Sequence, residues 1–405
     1  MSKIKPLQKI VTTARDLRSQ HEERHRPSGF GFALADRVDY LDGVRWDSLT
    51  RNDSLFLSRR YLRVLEDAAP ENLNQRYAMI FRGYEAVAVV AAQSVKISIA
   101  RVGKAHKRPP AIAPLEKLDE RMLVCGNLLS WGMHGVCLAP REDPATLWRG
   151  VAEALYRLRR ADKLSGDIDL VMVKDLSEEH APAGSVLRRF SYRSLDTDPN
   201  MVLPIAPNWR TYEDYLASLT SKYRKTCRQI DKEVADAGCS VEHLTATQIA
   251  HHADALHGLY LQTHSNAKFR PVTLSPAFLP TLAERLGSDF RCQVVRRDGE
   301  LLGFVTTLCD GETAVGYNIG FDRRAALEIP VYLRLLQAVI GDAIEFDCRK
   351  LSLGRTALEP KARLGARPEP MRVLVRHRVP MLNVIVRALL RTISHDEPPE
   401  RNPFK

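Results

Sequence analysis

Two histidine patterns in this chain have spacings that can bind zinc. His21 and His25 enclose Glu22-Glu23-Arg24, which matches the HExxH arrangement of a helical zinc site. The residues on both sides are charged, so we expect nothing to exclude water from a bound ion. The stretch from Thr247 to Ala267 carries four further histidines, but no complete ligand set is visible among them. We therefore predict surface or core positions for these histidines, and no metal site.

A basic cluster is the next group that could do chemistry. Lys222, Arg224, Lys225 and Arg228 fall within two turns of a helix predicted to begin near Trp209. Such a patch can hold the phosphates of a cofactor or meet an anionic surface. A solvated basic face explains the same residues equally well, and both interpretations stay open. On the first interpretation, Lys222 and Arg224 are candidate cofactor-binding residues.

The C-terminal stretch from Met371 to Arg391 has five arginines and no acidic residue. Pro380 is predicted to divide it into a strand-like piece and a helix over Met381–Ile393, with leucine, isoleucine and valine along one side. A basic amphipathic helix of this kind can lie on a membrane interface. Docking on its own domain is the alternative, and the pattern does not decide between them.

Composition describes a soluble globular chain with a basic surface. The 405 residues are 44% hydrophobic and 27% charged, with a formal net charge of +11. The sequence contains no apolar run of about 18 residues, so no membrane-spanning helix is predicted. The charge indicates partners that carry phosphate: a cofactor, a membrane surface or nucleic acid. Nucleic acid is the least expected, because aromatic residues do not alternate with the basic ones in the C-terminal stretch.

The seven cysteines are scattered and contain no CxxC pair, as expected for reduced thiols. The N-terminus lacks the apolar segment of a secretory signal. These features predict a cytoplasmic protein, located on the inner face of the membrane if the basic tail is interfacial.

The stretch from Asp289 to Thr356 predicts an antiparallel sheet crossed by a helix. Asp298-Gly299 is a hairpin signal between two β-rich runs, Cys292–Val295 and Leu301–Leu308. A third strand over Thr313–Ile319 follows, and Pro330 then stands where a helix can begin. Antiparallel strands, a helix and a returning strand together predict an α+β fold.

The first half shows the same order of strands, helix and strand. We predict a basic N-terminal segment (1–28), a first domain (29–199), a second domain (200–370) and a basic amphipathic tail (371–405). Three prolines between Asp196 and Pro207 predict the crossing between the domains. No direct sequence repeat is visible, so a duplication is inferred from the order of elements alone.

The second half resembles the GNAT superfamily of acyltransferases, within it the tandem-domain FemAB-like branch. The resemblance covers roughly residues 205–370, and the first half fits the partner domain more loosely. It is carried by the segments SLTSKYRKTCRQIDKE, RRDGELLGFVTTL, AVGYNIGFD and SLGRTALEPKARLGA. It implies two tandem GNAT-like domains, each a mixed, mostly antiparallel sheet flanked by helices. The glycine-containing pyrophosphate loop of ordinary GNAT enzymes is absent, because Asp322-Arg323-Arg324-Ala325-Ala326-Leu327 stands in its place.

The chemistry that the resemblance implies is attack of an amine on an activated acyl group, which needs a base and donors to the oxyanion. Tyr317 and Asn318 are the first candidates for positioning and proton transfer, although packing of Tyr317 in the sheet is an equal alternative. His264 is a weaker catalytic candidate. Arg323 and Arg324 are candidates for binding donor phosphates, together with amides at the start of the Pro330 helix.

Candidates for substrate binding follow the strand that ends at Gly354, where a loop can present polar groups to a cleft. We expect them to bind an anionic headgroup or the donor. They are Arg355, Glu359 and Lys361, with Lys268 and His134 as weaker members.

Three functions are compatible with these residues. The leading one is an N-acyltransferase with an acyl-coenzyme A or acyl-carrier-protein donor, no permanently bound cofactor and an amine-bearing lipid acceptor. A bacterial ceramide synthase, which acylates a sphingoid base, is one concrete form. The second is a FemAB-like transferase that uses aminoacyl-tRNA and a peptidoglycan precursor. The third is a non-catalytic lipid-binding module.

Overall fold

The computed structural model describes residues 26–98, 119–178, 180, 184–265, 271–379, 382–383, 399 and 401–405. Three of the expectations above concern residues outside these ranges. They are the HExxH match at His21–His25, the binding role of Lys268 and most of the helix predicted over Met381–Ile393.

The second half contains the predicted hairpin and the strand that follows it. Its strands are β8 (Cys239–His243), β9 (Phe290–Arg297), β10 (Glu300–Asp310), β11 (Thr313–Phe321) and β12 (Lys350–Ser352). Asp298 and Gly299 have φ values of 51° and 85°, which is the two-residue turn that antiparallel strands favour. The predicted α+β order is confirmed.

The helices of this half cover both faces of its strands. They are α4 (Tyr212–Ser218), α5 (Ser221–Asp236), α6 (Ala246–His251), α7 (Ala253–His264), α8 (Phe278–Leu286), α9 (Ala325–Glu328), α10 (Val331–Glu345) and α11 (Leu358–Arg363). The helix predicted over Thr247–Ala267 is therefore two helices that meet at His252. Helix α10 begins directly after Pro330, as expected.

The first half repeats this order. Its strands are β1 (Gly31–Ala35), β2 (Leu73–Arg82), β3 (Glu85–Ser98), β4 (Asp119–Cys125), β5 (Val136–Leu138) and β6 (Leu170–Leu176). Its helices are α1 (Gly43–Thr50), α2 (Arg59–Asp67) and α3 (Pro144–Ala161). In each half an antiparallel set ends in one parallel pair, β4 with β6 and β11 with β12. This correspondence supports the inferred duplication.

The two halves exchange their last strands. Strand β7 (Arg193–Pro204) leaves the first half and pairs with β12, whereas β13 (Arg367–His377) leaves the second half and pairs with β6. Strands β7 and β13 also pair with each other. The described strands therefore form one 13-stranded sheet, in the order β1-β2-β3-β4-β6-β13-β7-β12-β11-β10-β9-β8 with β5 beside β3.

This exchange bears on two of the predicted boundaries. Asp196–Pro207, expected as a crossing, is mostly strand β7, and the predicted boundary at residue 199 falls inside it. Proline is tolerated there because the pairing with β13 shifts register between Asn200 and Thr197, and a bulge needs no donor from Pro199. The start of the predicted tail, Met371–His377, likewise lies in the middle of the sheet as part of β13.

Two apolar layers sandwich the strands of the second half. On one face α4, α5 and α10 pack over Ala314 and Val305. On the other face α7 and α8 pack with α2 of the first half around Tyr317 and Phe278. The second layer is thus a core that both halves build together.

None of the described helices is long and apolar enough to cross a membrane. Within the same part of the chain, no group of three or more His, Cys, Asp or Glu residues is placed to hold a metal ion.

Candidate functional site

A fork opens in the sheet of the second half between β11 and β12. The two strands pair in parallel only from Thr313 to Val315, opposite Lys350 to Ser352. Strand β11 then continues to Phe321, whereas β12 ends and the chain turns away at Gly354, whose φ is 78°. In sheets with parallel strands, ligands bind outside the carboxyl ends at such separations. We therefore take the fork as the candidate active site.

Strand β11 carries a bulge at the fork. Val305 pairs with Ile319 and Thr307 with Gly316, so the single residue Thr306 faces both Tyr317 and Asn318. A bulge of this kind changes the direction of side chains and is common beside active sites. The two residues predicted first from the sequence therefore occupy the irregular position of the strand.

The hydroxyl of Tyr317 lies in the core between the two halves. It is 2.7 Å from the hydroxyl of Tyr61, which also accepts a hydrogen bond of 2.6 Å from the Asn127 amide. Tyr317 is 5% exposed, and burial raises its pKa well above the ordinary value. This setting favours a positioning role over proton transfer, because the phenol stays protonated and is held by a partner.

Asn318 differs from its neighbour, because its side chain is only partly satisfied. The main-chain amide of Asn318 donates to the Thr306 hydroxyl at 2.9 Å. Its carboxamide oxygen is buried and has no hydrogen-bond partner among the described residues. Buried polar atoms are rarely left without a partner, so an unpaired one at a bulge indicates a place for a ligand atom.

The first half reaches the fork through its glycine-rich segment, residues 126–135, which contain three glycines. The Trp131 indole donates to the Ser352 hydroxyl at 2.6 Å, and its ring covers Gly354, where an added Cβ would lie 3.1 Å away. Asn200 of β7 accepts from the Ser352 hydroxyl and from the Gly354 amide, both at 3.0 Å. Sequence analysis did not identify Trp131, Ser352 or Asn200, because the three meet only across the exchanged strands.

Arg355, predicted as a substrate-binding residue, belongs to a buried ion cluster beside the fork. Its guanidinium pairs with Asp175, a fully buried carboxylate of the first half that also contacts Lys174 and accepts from the Gly132 amide at 3.0 Å. Burial opposes ionisation of Asp175, but the two cations outweigh it and lower its pKa. The cluster fixes the turn after Gly354 against the first half. Sequence analysis did not identify Lys174 and Asp175, although charges directly after a buried strand were a usable signal.

His134, which was expected either to reach the cleft or to pack structurally, lies close to this cluster and has structural partners. Its Nδ1 is 3.0 Å from the Ser54 hydroxyl, and its Nε2 is 2.8 Å from the Trp131 carbonyl oxygen. Burial and the nearby Lys174 lower its pKa to about 4. The Ser54 hydroxyl is also 3.0 Å from Asp310, whose pKa burial raises to about 6. The neutral imidazole thus forms part of the interface between the halves.

Lys361 is the most unusual of the predicted residues. It lies on α11, directly after the fork, and its side chain is 4% exposed. Among the described residues its amine has no acidic partner, and burial alone lowers its pKa to about 7. Glu359 of the same helix is instead engaged at the surface by Arg363 at 2.8 Å and Arg401 at 3.0 Å. Lys361 therefore remains a candidate, whereas Glu359 is held by cations outside the fork.

Arg323 and Arg324 are exposed in the loop that leads from β11 to α10. The Asp322 carboxylate accepts from the amides of Arg324 and Ala325, both at 2.8 Å, so these amides are not open to a phosphate. Helix α10 begins at Val331 without a side-chain cap. Amides in its first turn and the two arginines are therefore the groups that could meet an anion here.

Lys222 and Arg224 do not join this loop. Helices α5 and α10 run antiparallel, since Gln337 donates to the Cys227 carbonyl and Arg334 pairs with Asp231. Lys222 and Arg224 thus lie beside the far end of α10, roughly 16 Å along its axis from the start. One phosphate group cannot contact both pairs. His264 lies at the end of α7, stacked on Tyr260 and 3.2 Å from the Thr273 hydroxyl.

Comparison with known proteins agrees with this architecture. Residues 221–362 match a family model described as an acetyltransferase (GNAT) domain. No curated protein sequence matches the chain.

Three solved structures are similar to this chain. FemX has a TM-score of 0.52 at 10% identity, covering 88% of this chain and 99% of that chain. A C-terminal domain from Agrobacterium fabrum, named as belonging to a lysylphosphatidylglycerol synthetase, has a TM-score of 0.50 at 12% identity, covering 86% and 95%. A tandem GNAT protein from the clavulanic acid pathway has a TM-score of 0.49 at 12% identity, covering 87% and 99%. At these identities the likeness of the first two establishes the fold alone.

The matched segment runs from α5 to α11 and contains both arms of the fork, the bulge and Lys361. The chain is therefore an acyltransferase with a GNAT-like fold, and its second half carries the matched GNAT domain.

Proposed function

We propose that this enzyme transfers an acyl group from a coenzyme A thioester to the amine of an amphiphilic acceptor. The observation that carries the proposal is the buried carboxamide oxygen of Asn318, which has no hydrogen-bond partner among the described residues and lies on the bulge of β11, where that strand separates from β12. This oxygen is an acceptor, so it can receive a hydrogen bond from the N–H of the attacking amine. The match to an acyltransferase domain favours an enzyme over a non-catalytic lipid-binding module.

The donor would enter with its phosphates at the loop before α10. Arg323 and Arg324 are exposed there, and the uncapped start of α10 adds backbone amides. The thioester would then extend along β11 toward Asn318. Asp322 already occupies the glycine-free turn, so we expect the two arginines to supply most of the attraction for phosphate.

The reaction requires the acceptor to lose a proton before it attacks. A protonated amine first gives one proton to a base, and its nitrogen then bonds to the acyl carbon. The C–S bond breaks, and the departing thiolate takes the second proton from nitrogen. We propose Lys361 as that base, because its buried amine has no acidic partner in the described ranges, and a pKa of about 7 leaves it half neutral at neutral pH.

We further propose that the acceptor is a long-chain amine at a membrane surface, and a sphingoid base is the concrete case. The net charge of +11 supports a location at anionic lipid. With this acceptor the product would be a ceramide. Acyl-carrier protein is an alternative source of the same thioester.

A FemAB-like use of aminoacyl-tRNA is the main competing function, and it differs in the donor. The likeness to FemX concerns the fold alone, so it does not select this donor. No described residue distinguishes the two, and the donor is therefore the variable to test.

The test incubates the purified full chain with palmitoyl-coenzyme A and a panel of amines that includes sphinganine and lysolipids. Mass spectrometry then searches for new amides. We expect a long-chain amide from sphinganine, with Asn318→Ala as the variant that loses it and Arg51→Gln as an exposed control. Product only with aminoacyl-tRNA would replace the proposal by the FemAB-like reaction, and product with neither donor would reject both.

A further inference from the structure

A cavity of about 210 Å³ lies in the first half, away from the fork and lined mainly by cations. It is bounded by the C-terminal end of α3, the following turn at Asp162–Ser165, the start of β6 and the end of β13. Its lining residues are Arg159, Arg160, Lys163, Asp167, Ile168 and Arg378. The volume far exceeds the ~15 Å³ that one water needs, so a small polar group can enter.

The nearby acidic residues do not neutralise this site. Arg378 is paired with Asp167 at 2.5 Å and with Asp169 at 2.8 Å. The turn's own carboxylate, Asp162, is engaged by Arg76 at 2.6 Å. These acidic side chains around the cavity therefore form ion pairs with Arg378 and Arg76, and not with the arginines of α3.

Four cations remain without an acidic partner among the described residues. Arg159 and Arg160 come from α3, Lys163 from the turn and Arg376 from β13. Burial, and next the charge of Arg376, lower the pKa of Arg159. A helix end favours cations such as Arg159 and Arg160 in its last turn, but that effect does not explain a cavity or the charges added by Lys163 and Arg376. The site as a whole is short of negative charge.

Apolar side chains stand exposed around the same cavity. Leu164 is fully exposed beside Lys163, Val379 is 40% exposed beside Arg378, and Tyr156 is 48% exposed one turn before Arg160. Binding of a dissolved anion would not explain why Leu164, next to the lining residue Lys163, is exposed. A membrane surface supplies both a phosphate for the cations and an apolar layer for Leu164.

We propose that this cavity binds the phosphate headgroup of an anionic lipid and that Leu164 enters the bilayer beside it. Guanidinium groups suit phosphate oxygens, with which they form paired hydrogen bonds. The contact would involve Arg159, Arg160 and Lys163 of the first half, together with Arg376 of the exchanged strand β13. The inference rests on the proposed function only in that it says where the enzyme meets the lipid surface.

The test measures binding of the full chain to sedimented vesicles of phosphatidylcholine, with and without phosphatidylglycerol. The double variant Arg160→Gln/Lys163→Gln removes two exposed cations of the cavity. The control Arg51→Gln/Lys232→Gln removes two exposed cations elsewhere. We expect the cavity variant to bind phosphatidylglycerol vesicles at least about tenfold more weakly, and the control to bind like the natural chain.

Leu164→Ser provides a second measurement, since it leaves every charge in place. It should weaken vesicle binding and leave binding of inorganic phosphate unchanged. The proposal would be overturned if the cavity variant and the control variant lost vesicle binding equally. It would also be overturned if neither variant lost any vesicle binding. Phosphate binding that depends on the cavity, together with vesicle binding that does not, would assign the site to a soluble anion instead.

Vesicle binding needs no turnover, so its outcome is separate from that of the proposed reaction. With short-chain, water-soluble substrates the cavity variant should keep its rate, because the fork is untouched. If the enzyme is active but the cavity variant binds vesicles as well as the natural chain does, the lipid site is rejected and the proposed reaction is not.

Discussion

The hydroxyls of Tyr61 and Tyr317 lie 2.7 Å apart, and they come from opposite halves of the chain. This contact connects the bulge of β11 to α2 and, through Asn127, to the glycine-rich segment of the first half. The candidate active site is therefore held by the interface between the halves, and changes at that interface should alter the fork.

Tyr317→Phe should lower the free energy of unfolding by about 1 kcal/mol, because it removes one buried hydrogen bond. The Tyr61 oxygen still accepts from the Asn127 amide, so this hydroxyl is not left without a partner. We expect kcat to change little, since the phenol stays protonated. Chemical denaturation and steady-state kinetics test this together, with Tyr61→Phe and the double variant completing a cycle. A large fall in kcat at unchanged stability would instead assign proton transfer to Tyr317.

Asn318→Ala should reduce kcat/KM by about tenfold or more, because it removes a polar group that meets the substrate. Its carboxamide oxygen has no hydrogen-bond partner among the described residues, so stability should hardly fall. Thermal unfolding and substrate titration separate the two effects. Normal kinetics in a stable Asn318→Ala protein would exclude the carboxamide from the site.

The two possible roles of Lys361 predict opposite pH profiles. A base works when neutral, so kcat/KM should rise with pH through about 7 and then level off. Lys361→Arg and Lys361→Met should both lose that rise, with rates at least about 100-fold lower.

If Lys361 instead binds an anion as a cation, activity should fall above pH 7, and the Lys361→Arg variant should remain active. The free energy of unfolding of the variants provides the control. The pKa of Lys361 is depressed by folding, so its protonated form destabilises the native state at neutral and lower pH. Lys361→Met should therefore unfold no more easily than the natural chain near neutral pH.

Asp310→Asn should raise stability near neutral pH. The pKa of Asp310 is about 6 in the folded state and about 4 when unfolded, so its contribution to stability falls as pH rises between these values. The loss is at most about 3 kcal/mol. Asparagine can still accept from the Leu55 amide and can donate to Ser54, as a protonated Asp310 would.

Denaturation over a range of pH checks this prediction. The advantage of Asp310→Asn over the natural chain should grow as pH rises from about 4 to 6 and stay constant above that. His134, with a folded pKa of about 4, acts in the opposite direction in both proteins and cancels in the difference. A constant difference across this range would mean that Asp310 titrates normally in the folded protein.

Local sequence patterns were sufficient for the hairpin and for helix α10 of the second half. Asp298-Gly299 predicted its hairpin because only certain residues accept two successive positive φ angles. Proline before α10 and the helical spacing of apolar residues behind it predicted that helix equally well. The choice of Tyr317 and Asn318 as candidate site residues also came from sequence, through resemblance to GNAT enzymes.

Long-range pairing decided the rest. Asp196–Pro207 has the composition of a loop, and only the pairing of β7 with β12 and β13 makes it a strand. The contacts of Arg355 with Asp175 and of Trp131 with Ser352 join residues from different halves of the chain.

By itself the sequence determined the α+β class, the hairpin and the residues of the second half that could do chemistry, because turn conformation and hydrophobic periodicity are local properties. The tertiary structure decided which of those residues meet. It placed Tyr317 in a shared core, separated Lys222 from Arg323, and left the Asn318 carboxamide oxygen and the Lys361 amine without partners in the part of the chain that the structure describes. The reason is that burial and pairing depend on strands exchanged between the halves, and no local pattern records that exchange.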